Sequence, residues 1–273
     1  MTSIHSPRRF LLNTLIPAYE AFGSSLMDGV VSNNKDLNAL KSAAGACLDM
    51  ADHIAREPRL RHLVPEAPRV APYRDALAKK HHWFGITQDI SNALKHRKLT
   101  RAERSLEGFD SLLERWALIR YTDSSGDYFA TRKLVIVKLK KVRVFAEDAI
   151  ERSLSMWVEE LMRLGEIDRP PVVYPTPKRL LLRSEVPARP QIEMRAEAGE
   201  KFSSQPELLE YSREEDMFRP LRGSIDEVEV DVRFVVSPSR FGTQNRGSDS
   251  SFVLRVKDTA ANAGSKARKP APV

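Results

Sequence analysis

Apolar residues recur at three- and four-residue steps from Arg8 to Val31. Leu12, Leu15, Tyr19, Phe22, Leu26 and Val30 fall on one stripe, which predicts a helix. Pro17 lies inside it and is expected to kink the helix or to open its main portion, because proline has no N–H to donate. Lys35 to Arg56 repeats the pattern with Leu37, Leu40, Ala44, Leu48, Ala51 and Ile54. Small residues at 43–46 let another helix approach closely, and Cys47 lies near the apolar stripe as a buried thiol. Pro58, Pro65, Pro68 and Pro72 predict a loop over 57–72. A third helix is expected from Tyr73 to Lys98, with Trp83, Ile86, Ile90, Ala93 and Leu94 inward and Gly85 weakening its middle. Three helices with short connections predict an antiparallel bundle.

The period changes after residue 100. Thr100 to Glu103 reads as a capping box, while Leu112 to Tyr121 fits a helix or a strand. Asp123-Ser-Ser-Gly-Asp127 is a turn, and Tyr128 to Phe145 is a strand in which Val135, Val137 and Leu139 point inward. Over 132–143 the cations are therefore expected outward, with a bulge or a new strand at Lys141. Asp148 to Gly165 is a helix carrying Ile150, Leu154, Trp157, Val158 and Leu161 on one face. Six prolines make 166–190 a linker, within which Arg179 to Leu182 fits a short strand. Residues 191–258 read as β, with Val228, Val230, Val232 and Phe234 alternating and Phe252 to Val256 closing a long hairpin. Residues 259–273 are expected to be a disordered basic tail. The fold class is therefore α+β. An antiparallel helical bundle with a basic β-hairpin and a following helix occupies 1–165, and the β-rich region at 191–258 is smaller.

Composition narrows the function classes. Of 273 residues, 41% are hydrophobic and 30% charged, and no apolar run approaches the roughly 18 residues of a spanning helix. A membrane partner is not expected, and the apolar content is too high for a wholly disordered chain. The single cysteine, Cys47, excludes an internal disulfide and a cysteine-built metal site. With no apolar leader before Phe10, a cytoplasmic location is expected.

The formal charge of +7 is unevenly spread. Residues 1–165 hold 26 basic and 20 acidic residues, against 18 and 17 in 166–273. Lys79 to Arg104 carries seven cations against Asp89 and Glu103, and Arg132 to Arg143 carries six against none. Clustered cations attract polyanions. They also form ordinary solvated faces and protect strand edges.

Catalytic motifs are sparse. No GxGxxG, GxxxxGK or nucleophile-elbow pattern occurs, so no cofactor is expected. His53 and Asp49 keep helical i,i+4 spacing, but a pair does not make a site, and no metal is expected. Asp89, Asn92 and His96 fall on one helical stripe beside the apolar face, with Lys95, Arg97 and Lys98 at the helix end. That arrangement reads either as a solvated edge, with His96 favoured by the C-terminal dipole, or as a polar groove for a phosphate or a base.

The segment Asp89-Ile-Ser-Asn-Ala-Leu-Lys95-His96-Arg97-Lys98-Leu99 resembles a late helix of HEPN-like domains. It also resembles bacterial proteins in which a D-x-x-x-A-x-K-H-x-x-L helix precedes a β-hairpin and a Trp-bearing helix, a place taken here by Trp157. The resemblance implies a helical scaffold. For active members it implies metal-independent ribonuclease chemistry in toxin or phage-defence systems, carried by an R-x4-6-H motif. In front of His96 the motif positions hold Asp89, Ile90 and Ser91, whereas Arg56/His62 and Arg74/His81 keep the spacing. Only Arg74 and His81, two turns apart on a helix, share a face; there Arg74 would stabilise phosphate charge and His81 act as general acid or base.

The leading expectation is a non-catalytic binding protein. It would contact RNA, DNA or another polyanion through Lys138, Lys140, Lys141, Arg143 and the end of the third helix. The alternatives are the ribonuclease built on Arg74 and His81, and a structural subunit that meets a protein partner or a second copy through its β region.

Overall fold

The computed structural model describes residues 6–32, 35–64, 70–96, 105–140, 142–171, 179–197, 206–237 and 248–257. The chain is α+β and divides into two compact units. One comprises Met1–Asp28, Ser32–Arg115 and Lys133–Lys178; the other comprises Gly29–Val31, Trp116–Arg132 and Arg179–Val273.

The first unit holds the helices. A short helix α1 (Pro7–Phe10) passes through a π turn (Leu11–Leu15) into α2 (Ile16–Met27). Pro17 enters the first turn of α2, and just before it the N–H of Ile16 reaches back five residues to the Leu11 carbonyl. This turn shifts the phase of the stripe. Leu11 and Leu15 are buried, while Leu12, expected inside, is exposed. Helix α3 (Lys35–Arg56) buries all six residues of its predicted stripe, and Cys47 with them.

The expected third helix is two. α4 (Val70–Lys80) and α5 (His82–Lys95) meet at His81, whose φ of −121° and ψ of 98° are extended. Gly85 serves the joint: a Cβ there would lie 3.3 Å from the Ala78 carbonyl oxygen. Helix α6 (Ala146–Arg163) carries Trp157, whose indole N–H donates to the Cys47 carbonyl at 2.8 Å and whose ring meets Phe84 edge-on at 5.3 Å. Thr87 on α5 and Ser153 on α6 are hydrogen-bonded at 2.8 Å, and Thr87 also donates to the Ala149 carbonyl. Ile86, Ile90 and Ala93 of α5 join Ile150, Leu154 and Leu161 of α6 in one core.

Strand β1 (Val30–Ser32) follows α2. Residues 112–123, open between helix and strand in the sequence, form β2 (Leu112–Asp123), and β3 (Gly126–Lys138) returns after a tight turn. At that turn Gly126 takes φ +108°, where other residues are strained, and Asp123 accepts the Ser125 N–H at 2.8 Å. β3 ends at Lys138, and β4 (Arg143–Phe145) pairs antiparallel with it.

The long strand expected over 128–145 is thus a strand, a tight turn and a short return. Its cations do not all face solvent. Arg132 and Lys133 are buried, because residues 132–137 are covered on both faces; exposure begins at Lys138.

The second unit contains a sheet of order β1-β5-β8-β9, built from β5 (Gln191–Glu197), β8 (Val228–Ser237) and β9 (Ser248–Val256). β5 runs parallel to β8, and β8 and β9 form the predicted long hairpin. Val230, Val232, Ile192, Met194, Val31, Trp116 and Leu118 share its core. β6 (Glu207–Ser212) and β7 (Met217–Pro220) complete the second sheet, of order β4-β3-β2-β6-β7.

Residues 116–132 group with this second unit rather than with the rest of 1–165, because Trp116 and Leu118 bury among its side chains. Within 179–190 the expected strand is extended chain leading into a 3-10 turn at Arg183–Glu185. Residues 100–103 and the tail at 259–273 lie outside the described residues.

Candidate nucleic-acid interface

The turn joining β3 to β4 gathers the second cationic cluster. Lys138 stands opposite Arg143 in the register, and Leu139 donates its N–H to the Val142 carbonyl at 2.9 Å, closing a tight hairpin. Val135 and Val137 anchor the strand in the helical core, so the chain cannot slide without exposing them. Lys138, Lys140 and Arg143 are all exposed. Among the described residues no carboxylate pairs with Lys138 or Lys140. Lys141 lies outside the described residues. Val142, 56% exposed, sits beside these cations, an apolar contact that charge patterning alone did not single out.

The end of α5 is arranged otherwise. Asp89 is buried and accepts the backbone N–H of Ser105 at 2.7 Å, so its carboxylate holds the returning chain. Asn92 donates to the carbonyl of Gln88 one turn back. Lys95 is exposed, and His96 ends the helix with its backbone N–H on the Asn92 carbonyl and its ring exposed. Arg97 and Lys98 lie outside the described residues. The predicted stripe is therefore split in depth, with Asp89 inside, Asn92 at the boundary and His96 in solvent.

Arg74 and His81 are separated by the helix break. The Arg74 guanidinium is held by Asp52 and lies 3.8 Å from Asp49. His81 sits at the non-helical joint, so the face that continuous helix would have given the two residues is lost. His53 stacks on Phe10 at 4.0 Å rather than converging on Asp49. Among the described residues no three His, Cys, Asp or Glu side chains come together as metal ligands, and no helix is long and apolar enough to cross a membrane.

A cleft of about 540 Å³ opens in the second unit, lined by part of the stretch the sequence presents as a linker and by residues at the starts of β3 and β8. Tyr128, Arg183, Arg189, Glu227 and Glu229 are among its lining residues. Arg183 binds Asp123 through two nitrogens at 2.9 and 3.0 Å and lies over the Tyr128 ring. The hydrogen bond from Arg183 draws the Asp123 carboxyl below its ordinary value. Arg189 binds Glu229 at 2.8 Å and Asp231 at 3.1 Å. Both arginines are thus matched by carboxylates, and the cleft has no cationic excess to hold an anion. The signal available in the sequence was a pair of arginines among prolines, which does not reveal carboxylate partners 40 and 60 residues away.

No family model, curated protein or solved structure matches the chain.

Proposed function

We propose that this protein is a non-catalytic nucleic-acid-binding protein that contacts the phosphate backbone with the hairpin tip between β3 and β4. The observation that carries the reading is the pairing of Lys138 with Arg143 across a tight, exposed turn that also bears Lys140. A narrow tip with cations on both strands presents several donors to neighbouring phosphates at once, and such contacts position a protein without reading sequence. Lys141, next in sequence to Lys140, and Lys95 at the end of α5, followed in sequence by Arg97 and Lys98, add to the positive charge of the chain.

Binding of short single- and double-stranded RNA and DNA should fall steeply with salt. Each phosphate contact contributes about 0.9 to the logarithmic slope on duplex DNA. Replacing Lys138, Lys140, Lys141 and Arg143 together by Ser should reduce affinity at least tenfold at low salt and flatten that slope by about three to four. Equal retardation of the parent and the quadruple variant, or no retardation of any nucleic acid at low salt, would sink the reading.

The ribonuclease reading on Arg74 and His81 draws less support, since Asp52 and Asp49 already neutralise that arginine. The same experiment reports on it: time-dependent loss of RNA, abolished by His81→Ala, would restore it.

A further inference from the structure

Sheet edges offer unpaired N–H and C=O groups, and native proteins blunt them with short strands, proline or covering segments. Of the four sheet edges among the described residues, three obey that rule. β1 and β4 have three residues each, and β7 has four and ends at Pro220. β9 does not: it is nine residues long and closes its sheet. Among the described residues no strand pairs with its outer side. It also exposes two large apolar side chains, Phe252 and Val253, each 46% accessible and on opposite faces.

The direction of the free groups follows from the register. Asp231 donates its N–H to the Pro190 carbonyl, toward β5, so odd-numbered residues of β8 bond to β5 and even-numbered ones to β9. Val232 stands opposite Phe252, so even-numbered residues of β9 bond inward to β8. The N–H and C=O groups of Asp249, Ser251, Val253 and Arg255 therefore aim outward.

We propose that β9 is the interface of a homodimer, pairing antiparallel with β9 of a second copy about a two-fold axis through Phe252. Only odd-numbered residues can bond across the edge, so odd must meet odd. With Phe252 opposite itself, Ser251 faces Val253 and Asp249 faces Arg255, each twice by symmetry. Both opposed charges lie inside the strand. The two Phe252 rings meet at the non-hydrogen-bonded pair, where side chains approach most closely. Centring on Ser251 instead would set Asp249 against Val253. Centring on Val253 would set Asp249 against Lys257, beyond the strand end, and Phe252 against Leu254. Within one chain Asp249 is already held by Arg233 at 2.7 Å and Arg255 lies 3.2 Å from Glu227, so the facing charges would join existing ion pairs; the match in charge sign and the Phe252 contact favour a second copy as the occupant. The assignment stands independently of the nucleic-acid reading.

The full chain should sediment at twice 30.9 kDa. Ser251→Pro removes one outward N–H and no bond to β8, so it should yield monomers with unchanged circular dichroism and melting. Phe252→Cys should cross-link on oxidation, because opposed Cα atoms at such a pair lie about 4.5 Å apart, within disulfide reach. Val253→Cys should not cross-link. The native thiol, Cys47, is fully buried and does not compete. A mass of 30.9 kDa at every concentration, a dimer that survives Ser251→Pro, or a cross-link through position 253 instead of 252 would overturn the proposal.

Discussion

Lys133 carries its charge at 1% exposure, with Asp28 and Asp36 each 2.8 Å from its Nζ. A buried ammonium is tolerable only with such partners, and removing one side of a buried pair typically costs about 3–5 kcal/mol. Lys133→Met should therefore destabilise the protein by about that amount in denaturant titration, and adding Asp36→Leu should recover part of the loss. Burial raises the Asp36 carboxyl above its ordinary 3.8, against the opposing pull of Lys133. Just above pH 3.8 the native state then holds more protons than the unfolded chain, so the stability from this group falls as pH rises through that window. In Lys133→Met the Asp36 titration, followed by NMR, should move to still higher pH. At α5 the contrast is between a structural and a solvated residue. Asp89→Ala strands the Ser105 N–H and should cost about 1–3 kcal/mol, whereas His96→Ala should stay within about 0.5 kcal/mol. A destabilising His96→Ala would mean that its ring has a structural role. The sequence placed Lys133 in phase with the inward Val135 and Val137, yet its charge argued outward; the carboxylate that decides the matter lies 97 residues away.

Helix ends show local rules acting on whole elements. α6 ends where Gly165 takes φ +71°, with the Gly165 N–H on the Met162 carbonyl and the Glu166 N–H on the Leu161 carbonyl. A Cβ at Gly165 would touch nothing, so Gly165→Ala isolates the backbone penalty and should lower stability by about 1–2 kcal/mol in thermal or chemical melts. No change would mean that the helix end relaxes into another geometry. Elements with a strong 3.6-residue period were legible in the sequence: α3 matches its predicted limits, and α6 starts within two residues of its own. The β8–β9 hairpin was legible by alternation. The joint at His81 was not, because Gly85 reads as a weak helix former until the nearby Ala78 carbonyl explains it. β2 stayed ambiguous because Trp116, Ala117, Leu118 and Ile119 are all buried, and a strand covered on both faces loses its two-residue period. The hairpin tip was legible as a charge cluster, and the broken alternation at Lys141 announced a bulge or a new strand, of which the new strand, β4, forms; the bond from Leu139 to Val142 that closes the turn has no sequence signal of its own.

Across the whole molecule, the α+β class follows from a helical period early in the chain and a two-residue period late in it. Compact units need not follow the chain in order, however, and here they do not. The second unit draws Gly29–Val31 and Trp116–Arg132 from within the first 165 residues. Gly29 accepts the Glu193 N–H at 2.9 Å, and Thr131 donates to the Gln191 carbonyl. Such pairings link residues 60 or more positions apart, and no local periodicity announces them. The proline-rich stretch should therefore not mark a point where the protein can be cut. A fragment ending at residue 165 keeps Trp116 and Leu118 but loses Ile192, Met194, Val230 and Val232, with which they are buried. Losing the packing of one such aromatic residue alone typically costs about 3–5 kcal/mol, a large part of a domain's stability of about 5–15 kcal/mol. The fragment also leaves β2 without its parallel partner β6 over Ala117 to Arg120. Fragment 1–165 should thus be insoluble or should melt far below the full chain, and Trp116→Ala in the full chain should reproduce part of the loss. Soluble expression of the fragment with a cooperative melt equal to that of the full chain would show instead that the helical unit holds its core without the second.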